Sequence, residues 1–380
     1  MKTHQVQQKT ERRISAALRL VFVAALLLGQ IALAFFLSTE LRQRAAIIYT
    51  VLELAAFGYA VRIYNRTDGT SYKFGWIFLV LTVPVVGLIL YFLWNGDRQQ
   101  KRLDLKKLPM PEEPEAQQAA HRIQMEKLRR KFPQWERLSV YLSRQGYLLY
   151  GDTETRYLPT GEMFLQDMLE KLEQAEHFIF LEFFIIAQGQ IWDRMEEIFR
   201  RKAAEGVEVK IIFDDFGSMM RFPAGQIEAL RESGVEVQIF NPVHHYVNRL
   251  YFNYRDHRKI VCIDGSTAYT GGANVADEYA NLTVRFGYWK DCGIRLDGPG
   301  AWGLTREFLH MWQRNGGQLM QERDYYRPHD HREAAGFCQP FVDGPDNNPI
   351  STAEDVFLHL INNARRSVYI TTPYLAIDEP

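Results

Sequence analysis

From residue 161 onward the apolar positions of the chain switch period in a regular alternation. Phe164 to Gln174, Trp192 to Glu205 and Ala224 to Ser233 repeat apolar residues at helical spacing, whereas Phe178 to Ile186, Val207 to Phe213 and Val235 to Phe240 are short, nearly continuous apolar runs. Helix-then-strand units of this length predict an α/β fold whose largely parallel or mixed sheet is covered by helices. Two more strands follow. Arg258 to Ile263 and Thr267 to Thr270 are separated by Asp264-Gly265, the signal of a tight hairpin, and Cys292 to Leu296 reads as a further strand.

The first hundred residues carry another pattern. Ile14 to Leu37 is apolar except for Ser15, Arg19 and Gln30. Ala45 to Val61 has Glu53 at its middle, which would cost about 2.5–3.5 kcal/mol at the centre of a membrane span. Phe74 to Trp94 runs without a charge, contains Pro84, and places Trp76, Tyr91 and Trp94 where interfacial aromatics sit. Residues 1–97 are therefore expected to be a membrane anchor of N-terminal transmembrane helices with two or three apolar segments (14–37, 45–61 and 74–94), the last of them transmembrane. Arg98, Lys101, Arg102, Lys106 and Lys107 follow that segment, which puts the rest of the chain on the cytoplasmic side. Lys2, Lys9, Arg12 and Arg13 make the N-terminus basic too; both ends inside requires an even number of crossings, so with three apolar segments either the Glu53 segment lies in the interface or the N-terminus breaks the rule. Residues 98–134 read as a basic stretch and a linker, with Pro109, Pro111 and Pro114 among acidic residues, before helical spacing over Ala119 to Phe132.

Composition narrows the class. A content of 47% hydrophobic and 13% aromatic residues over 380 positions supports a sizeable core and more than one domain. The net charge of -1 lacks the basic excess of a protein that grips a nucleic-acid backbone, so nucleic acid is not an expected partner. Cys262, Cys292 and Cys338 are few and odd in number, and the first two lie in apolar strand-like runs, which suits reduced core thiols.

Candidate chemistry concentrates in the hairpin. Side chains two apart on a strand share a face, so His257 and Lys259 project the same way, roughly 7 Å apart along the strand, and can flank one phosphoryl group. After the second strand come Gly271, Gly272, Ala273 and Asn274, where missing side chains let backbone N–H groups approach a ligand and an amide supplies another donor. This set handles phosphate without a metal or cofactor. Glu182, a carboxylate inside an apolar strand, needs a partner and is expected near the site. His244 and His245 lack ligand spacing and read as loop histidines, and Asp214-Asp215 reads as a turn cap.

His-x-Lys, four residues, Asp264, six residues and Gly-Gly-x-Asn closely resemble the signature of the phospholipase D superfamily. Phe178 to Phe184, Gly206 to Ser218, Ala276 to Tyr279 and Gly287 to Asp291 look like successive blocks of bacterial cardiolipin synthases, a likeness running from about Phe74 to the C-terminus. Ala273 and Lys290 depart from it, standing where the family often has Phe and Arg. The resemblance implies a phospholipase D-like mixed β-sheet sandwiched by helices, with His257, Lys259 and Asp264 as the catalytic motif. By the residues themselves, Asp264 fixes the hairpin rather than touching substrate. The resemblance further implies that Asp291 orients a histidine through one ring nitrogen.

Val356 to Tyr374 repeats the plan of Phe164 to Phe184, helix then strand, with Ala364 matching Ala175. The first phospholipase D-like lobe is thus expected at 135–345 and a truncated second lobe at 346–380. In-line displacement at phosphorus needs a nucleophile on one side and a proton donor on the other, and one histidine cannot occupy both. A missing C-terminal lobe or a second subunit is expected to complete the site. The implied activity is a phosphatidyltransferase reaction at the bacterial cell (inner) membrane: two phosphatidylglycerol molecules give cardiolipin and glycerol through a phosphohistidine, with the lipid bilayer as partner. The rivals are a phospholipase D-type hydrolase, transfer to another alcohol, and a noncatalytic headgroup-binding module.

Overall fold

The computed structural model describes residues 28–29, 32, 42–66, 70–94, 108, 113–243, 254–285, 287–319, 322–326, 334–344, 351–372 and 374. They fall into two units, one comprising 28–94 and 366–374 and the other 108–243 with 254–365.

The second unit is built on a seven-stranded sheet: β1 (Glu154–Leu158), β2 (Phe178–Phe183), β3 (Glu208–Asp214), β4 (Glu236–Phe240), β5 (Lys259–Ile263), β6 (Thr267–Gly271) and β7 (Gly293–Asp297). The order across the sheet is β1-β7-β6-β5-β2-β3-β4. β2, β3 and β4 run parallel, and β5, β6, β7 and β1 continue antiparallel from β2, so the expected mixed α/β sheet is present. All residues of β2 and β5 are buried, as continuous apolar runs at the centre of a two-sided sheet must be.

Alternation sorts the side chains into two cores. Ile179, Leu181, Phe183, Val261 and Ile263 face helices Gly161–Leu172, Gln190–Ala204 and Ala224–Glu232, while Phe178, Phe180, Ile260 and Cys262 face helix Gly300–Arg314. The first three helices match those read from apolar spacing to within three residues at each end. Asp264 and Gly265 both have positive φ (52° and 66°), and Ser266 N–H donates to Ile263 O at 3.1 Å, giving the tight turn that Asp-Gly favours between strands that pair at Ile263 and Thr267.

Cys262 is buried as expected. Cys292 is exposed and precedes β7, which corrects its reading as a core thiol: the strand begins one residue later, at Gly293. Helix Thr352–Asn363 forms where the repeat placed one, but 366–372 form no strand and lie exposed.

The first unit contains α1 (Arg42–Tyr64), α2 (Thr70–Thr82) and α3 (Pro84–Trp94). No helix among the described residues is long and apolar enough to cross a membrane. Phe74 to Trp94, expected to be transmembrane, is not one continuous helix: the chain breaks at Val83, and the rings of Trp76 and Tyr91 meet at 5.4 Å between centroids. Pro84 cannot donate the N–H that would continue α2, and Gly87 lies so near Leu79 that a Cβ there would come within 2.5 Å of its carbonyl oxygen. Within residues 14–37 only Leu28, Gly29 and Ala32 are described; the basic residues 98–107 and His244-His245 lie outside the described residues.

Candidate active site

The carboxyl ends of β2 and β3, the start of β5, the end of β6 and the start of β7 share one edge of the sheet, where ligands of α/β folds gather. His257 and Lys259 project there from the start of β5. Lys259 Nζ lies 3.1 Å from His257 Nδ1 and donates to the His257 carbonyl at 2.6 Å. Phe184, which follows β2, touches both: its ring centroid is 4.7 Å from that of His257 and 5.6 Å from Lys259 Nζ.

The electrostatics separate the pair from ordinary surface groups. Partial burial, helped by the Lys259 charge, pushes His257 down to about 4, so its imidazole is neutral at pH 7. Burial lowers Lys259 to about 8, while the charges of Asp256 and Asp291 oppose that shift. A neutral base therefore stands beside a cation with a moderated pKa.

Other expected site residues are occupied by the fold. Asp264 Oδ1 accepts the N–H groups of His177 and Phe178 at 2.7 and 2.8 Å, and Oδ2 that of Glu176 at 2.8 Å, at the end of β5 remote from His257. It clamps the entry to β2, which supports the reading of a fixed hairpin over direct catalysis. Gly272 donates its N–H to Cys292 O at 3.1 Å rather than toward a ligand, and a Cβ there would fall 2.3 Å from Asp291 Oδ1. Gly271 packs as closely, its Cβ position 2.6 Å from Cys292 O. These glycines admit the start of β7 to the site edge. Asn274 is buried, accepts Ile185 N–H at 3.0 Å and donates to Tyr279 Oη at 2.8 Å, so its amide ties the loop after β2 to that after β6.

Glu182 is the clearest displacement. It lies on the opposite face of the sheet from His257 and Lys259, fully buried, with Oε1 3.6 Å from Arg258 Nη1. Burial and the neighbouring Asp256 hold its carboxyl well above the usual range. Arg258 also donates to Gly344 O at 2.5 Å. The alternation that sends His257 and Lys259 to one face sends Arg258 to the other, where it secures the strand.

Asp291 accepts Cys292 N–H at 2.8 Å and Trp289 Nε1–H at 3.3 Å. Asp214 caps a turn as expected, accepting Phe216 N–H at 2.8 Å, and also takes Asp256 N–H at 2.9 Å beside Arg255. Phe184, Arg258 and Tyr279 were not singled out beforehand. Only Arg258 carried a signal, the strand alternation between His257 and Lys259.

The model of the cardiolipin synthase, phospholipase D-like domain matches residues 168–284, enclosing β2 to β6 and the whole motif from His257 to Asn274. A cardiolipin synthase 2 of Bacillus anthracis is 31% identical over 86% of this chain and 63% of its own length. An uncharacterized protein of Streptococcus mutans is 35% identical over 84% of this chain and 69% of its own. The chain belongs to the phospholipase D-like cardiolipin synthase family.

The chain spans from 61% to 71% of the length of eight curated cardiolipin synthases and related proteins among those it matches. A cardiolipin synthase of Alkalihalophilus pseudofirmus is 28% identical over 90% of this chain and 68% of that protein. A phospholipase D-nuclease N-terminal model matches residues 54–95, which hold the end of α1 with α2 and α3. The cardiolipin synthase domain match thus includes His257 and Lys259 and stops short of Asp291.

Proposed function

We propose that this chain carries one half of the active site of a membrane-bound cardiolipin synthase, which transfers a phosphatidyl group from one phosphatidylglycerol to another. The observation that carries this reading is the neutral His257 imidazole set against the Lys259 ammonium on one edge of the sheet. A ring that stays unprotonated at pH 7 suits the nucleophile. Phosphoryl oxygens take over the ammonium hydrogen bonds now made to His257, the imidazole attacks phosphorus, and the bond to glycerol breaks as a second, protonated group gives glycerol its proton. The hydroxyl of a second phosphatidylglycerol then attacks the phosphohistidine while the second group, now deprotonated, takes the hydroxyl proton; the P–N bond breaks, releasing cardiolipin and restoring both the neutral ring and the proton donor.

The proton donor must stand opposite the nucleophile, and a further lobe or a second subunit supplies it. Asp291 acts on the pair by its charge, holding Lys259 protonated and the site geometry fixed. Asp264 and Asn274 serve by holding β2 and its following loop in place. The N-terminal apolar segments, 14–37 among them, keep the enzyme at the cytoplasmic face of the cell membrane.

The test is incubation of the intact enzyme with phosphatidylglycerol vesicles and mass spectrometry of the products. Cardiolipin and free glycerol are expected, with His257→Ala lowering the rate by about 10³-fold or more while the circular dichroism spectrum stays unchanged. Phosphatidic acid in place of cardiolipin indicates a hydrolase. Lipid binding without turnover indicates a binding module, and unchanged turnover in His257→Ala overturns the assignment.

A further inference from the structure

The first unit packs its three helices around Ala56, Ile63, Val80 and Tyr91, with Tyr59, Trp76, Ile77 and Leu88 against them. Trp76 and Tyr91 are fifteen positions apart in sequence. On one continuous helix they would stand about 22 Å apart, so their contact defines a hairpin. Its arms, 13 and 11 residues, are about 20 Å and 17 Å long, each short of a hydrocarbon core of about 30 Å.

The two ends of the hairpin differ in chemistry. At the open end, where α1 and α3 finish and α2 starts, Lys73 Nζ donates to Arg66 O at 3.2 Å and lies 5.9 Å from the Tyr64 ring centroid. Arg66 Nη1 reaches Tyr91 Oη at 3.5 Å, and Tyr72 stacks edge-on to Trp76. Toward the closed end, between Phe74 and Trp94, there is no charged residue, and Thr82 satisfies its hydroxyl on Phe78 O at 2.7 Å. Exposed apolar residues line the outer sides: Ile47, Val51, Leu54, Phe57 and Val61 recur every three or four residues on α1, where Glu53 and Arg62 are also exposed, and Phe74, Phe78 and Leu81 on α2, which has no exposed charge beyond Phe74. Cations and aromatics at one end with hydrocarbon at the other is the polarity of a segment that enters a bilayer and leaves from the same side.

We propose that residues 70–94 form a re-entrant hairpin, dipping into one leaflet with its acyl chains against the exposed apolar faces and anionic headgroups at the Arg66 and Lys73 end. The hairpin contributes no crossing, so the residues that flank it, just before Thr70 and just after Trp94, lie on one side of the membrane. This inference rests on the membrane attachment in the proposed function and is independent of the phosphoryl chemistry.

The test uses the full-length protein in inverted membrane vesicles and in intact spheroplasts, with Tyr72→Cys, Thr82→Cys and Trp94→Cys made singly. A membrane-impermeant maleimide is applied, and labelling is read peptide by peptide by mass spectrometry. Positions 72 and 94 are expected to label from the same side and position 82 from neither. Labelling of 72 and 94 from opposite sides overturns the hairpin in favour of a span, and labelling of 82 from either side overturns its immersion. Flotation with vesicles of phosphatidylglycerol and phosphatidylethanolamine separates the two claims: a protein that floats but labels from opposite sides refutes the hairpin alone, whereas one that fails to float refutes the membrane attachment as well. Gly87→Leu supplies a second check. Its side chain cannot fit against Leu79, so with Trp94→Cys it is expected to lose same-side labelling; retention of that labelling overturns the close packing on which the hairpin depends.

Discussion

The carboxylate of Asp264 holds the backbone N–H of Phe178 at 2.8 Å, and through it the first residues of β2 are pinned to the hairpin that bears His257 and Lys259. Asp264→Ala removes acceptors from three backbone donors at once. The expected cost is about 3 kcal/mol of stability, read as a lower urea midpoint: a hydrogen bond to a charged group is worth about 1.5–3 kcal/mol net, and the exposed donors of Glu176 and His177 regain water, which leaves mainly the part-buried bond to Phe178. Turnover of the fraction that remains folded should fall far less than in His257→Ala.

Arg258 and Glu182 test the opposite face. Arg258→Met leaves Glu182 and Asp256 buried without their cation and should cost about 3–5 kcal/mol. Adding Glu182→Leu to it should recover part of that loss. A double-mutant cycle by denaturant unfolding measures the coupling, and strict additivity would show that the two do not act together.

Activity against pH should be bounded by the pair at the site. Lys259 titrates at about 8, so kcat/KM is expected to fall above that pH, and His257 at about 4 leaves the acid side flat down to that value. Asp291→Asn removes a charge that favours the ammonium and should move the alkaline limb to lower pH. The sign for stability follows separately. Between about 6.5 and about 4 the unfolded chain takes up a proton that native His257 refuses, so stability should decline as pH falls through that window, and His257→Gln should remove the contribution.

Gly272→Ala places a methyl group where Asp291 Oδ1 already stands, 2.3 Å from the new Cβ. The start of β7 must shift, at an expected cost of about 1–3 kcal/mol in stability. A kcat reduced at least tenfold with a smaller change in KM would mark loss of the geometry around Lys259 rather than loss of lipid binding.

The strands and helices from residue 161 to Phe240 were legible because each bears one period of apolar residues and ends at a turn signal. The hairpin of the motif was legible for the same reason, with Asp264-Gly265 between its strands. The side of the sheet taken by Glu182 was not, since alternation along β2 gives relative faces and only pairing with β5 ties them to His257. Asn274 and Gly272 were read as ligand donors because their chemistry allows it, yet their groups are engaged by Tyr279 and Cys292, neighbours that folding alone brings near. The break within Phe74 to Trp94 was not legible for a related reason: hydropathy counts apolar residues and is blind to a reversal of direction, and Pro84 is tolerated in membrane helices as well as at breaks.

β5 is hydrogen-bonded along both edges and all its residues are buried. Its amides should exchange with deuterium only when the whole lobe opens, making Lys259 neighbour to the slowest-exchanging protons of the molecule. Heat or denaturant would then be unable to disarm the motif locally: loss of activity and loss of the sheet would come at one midpoint.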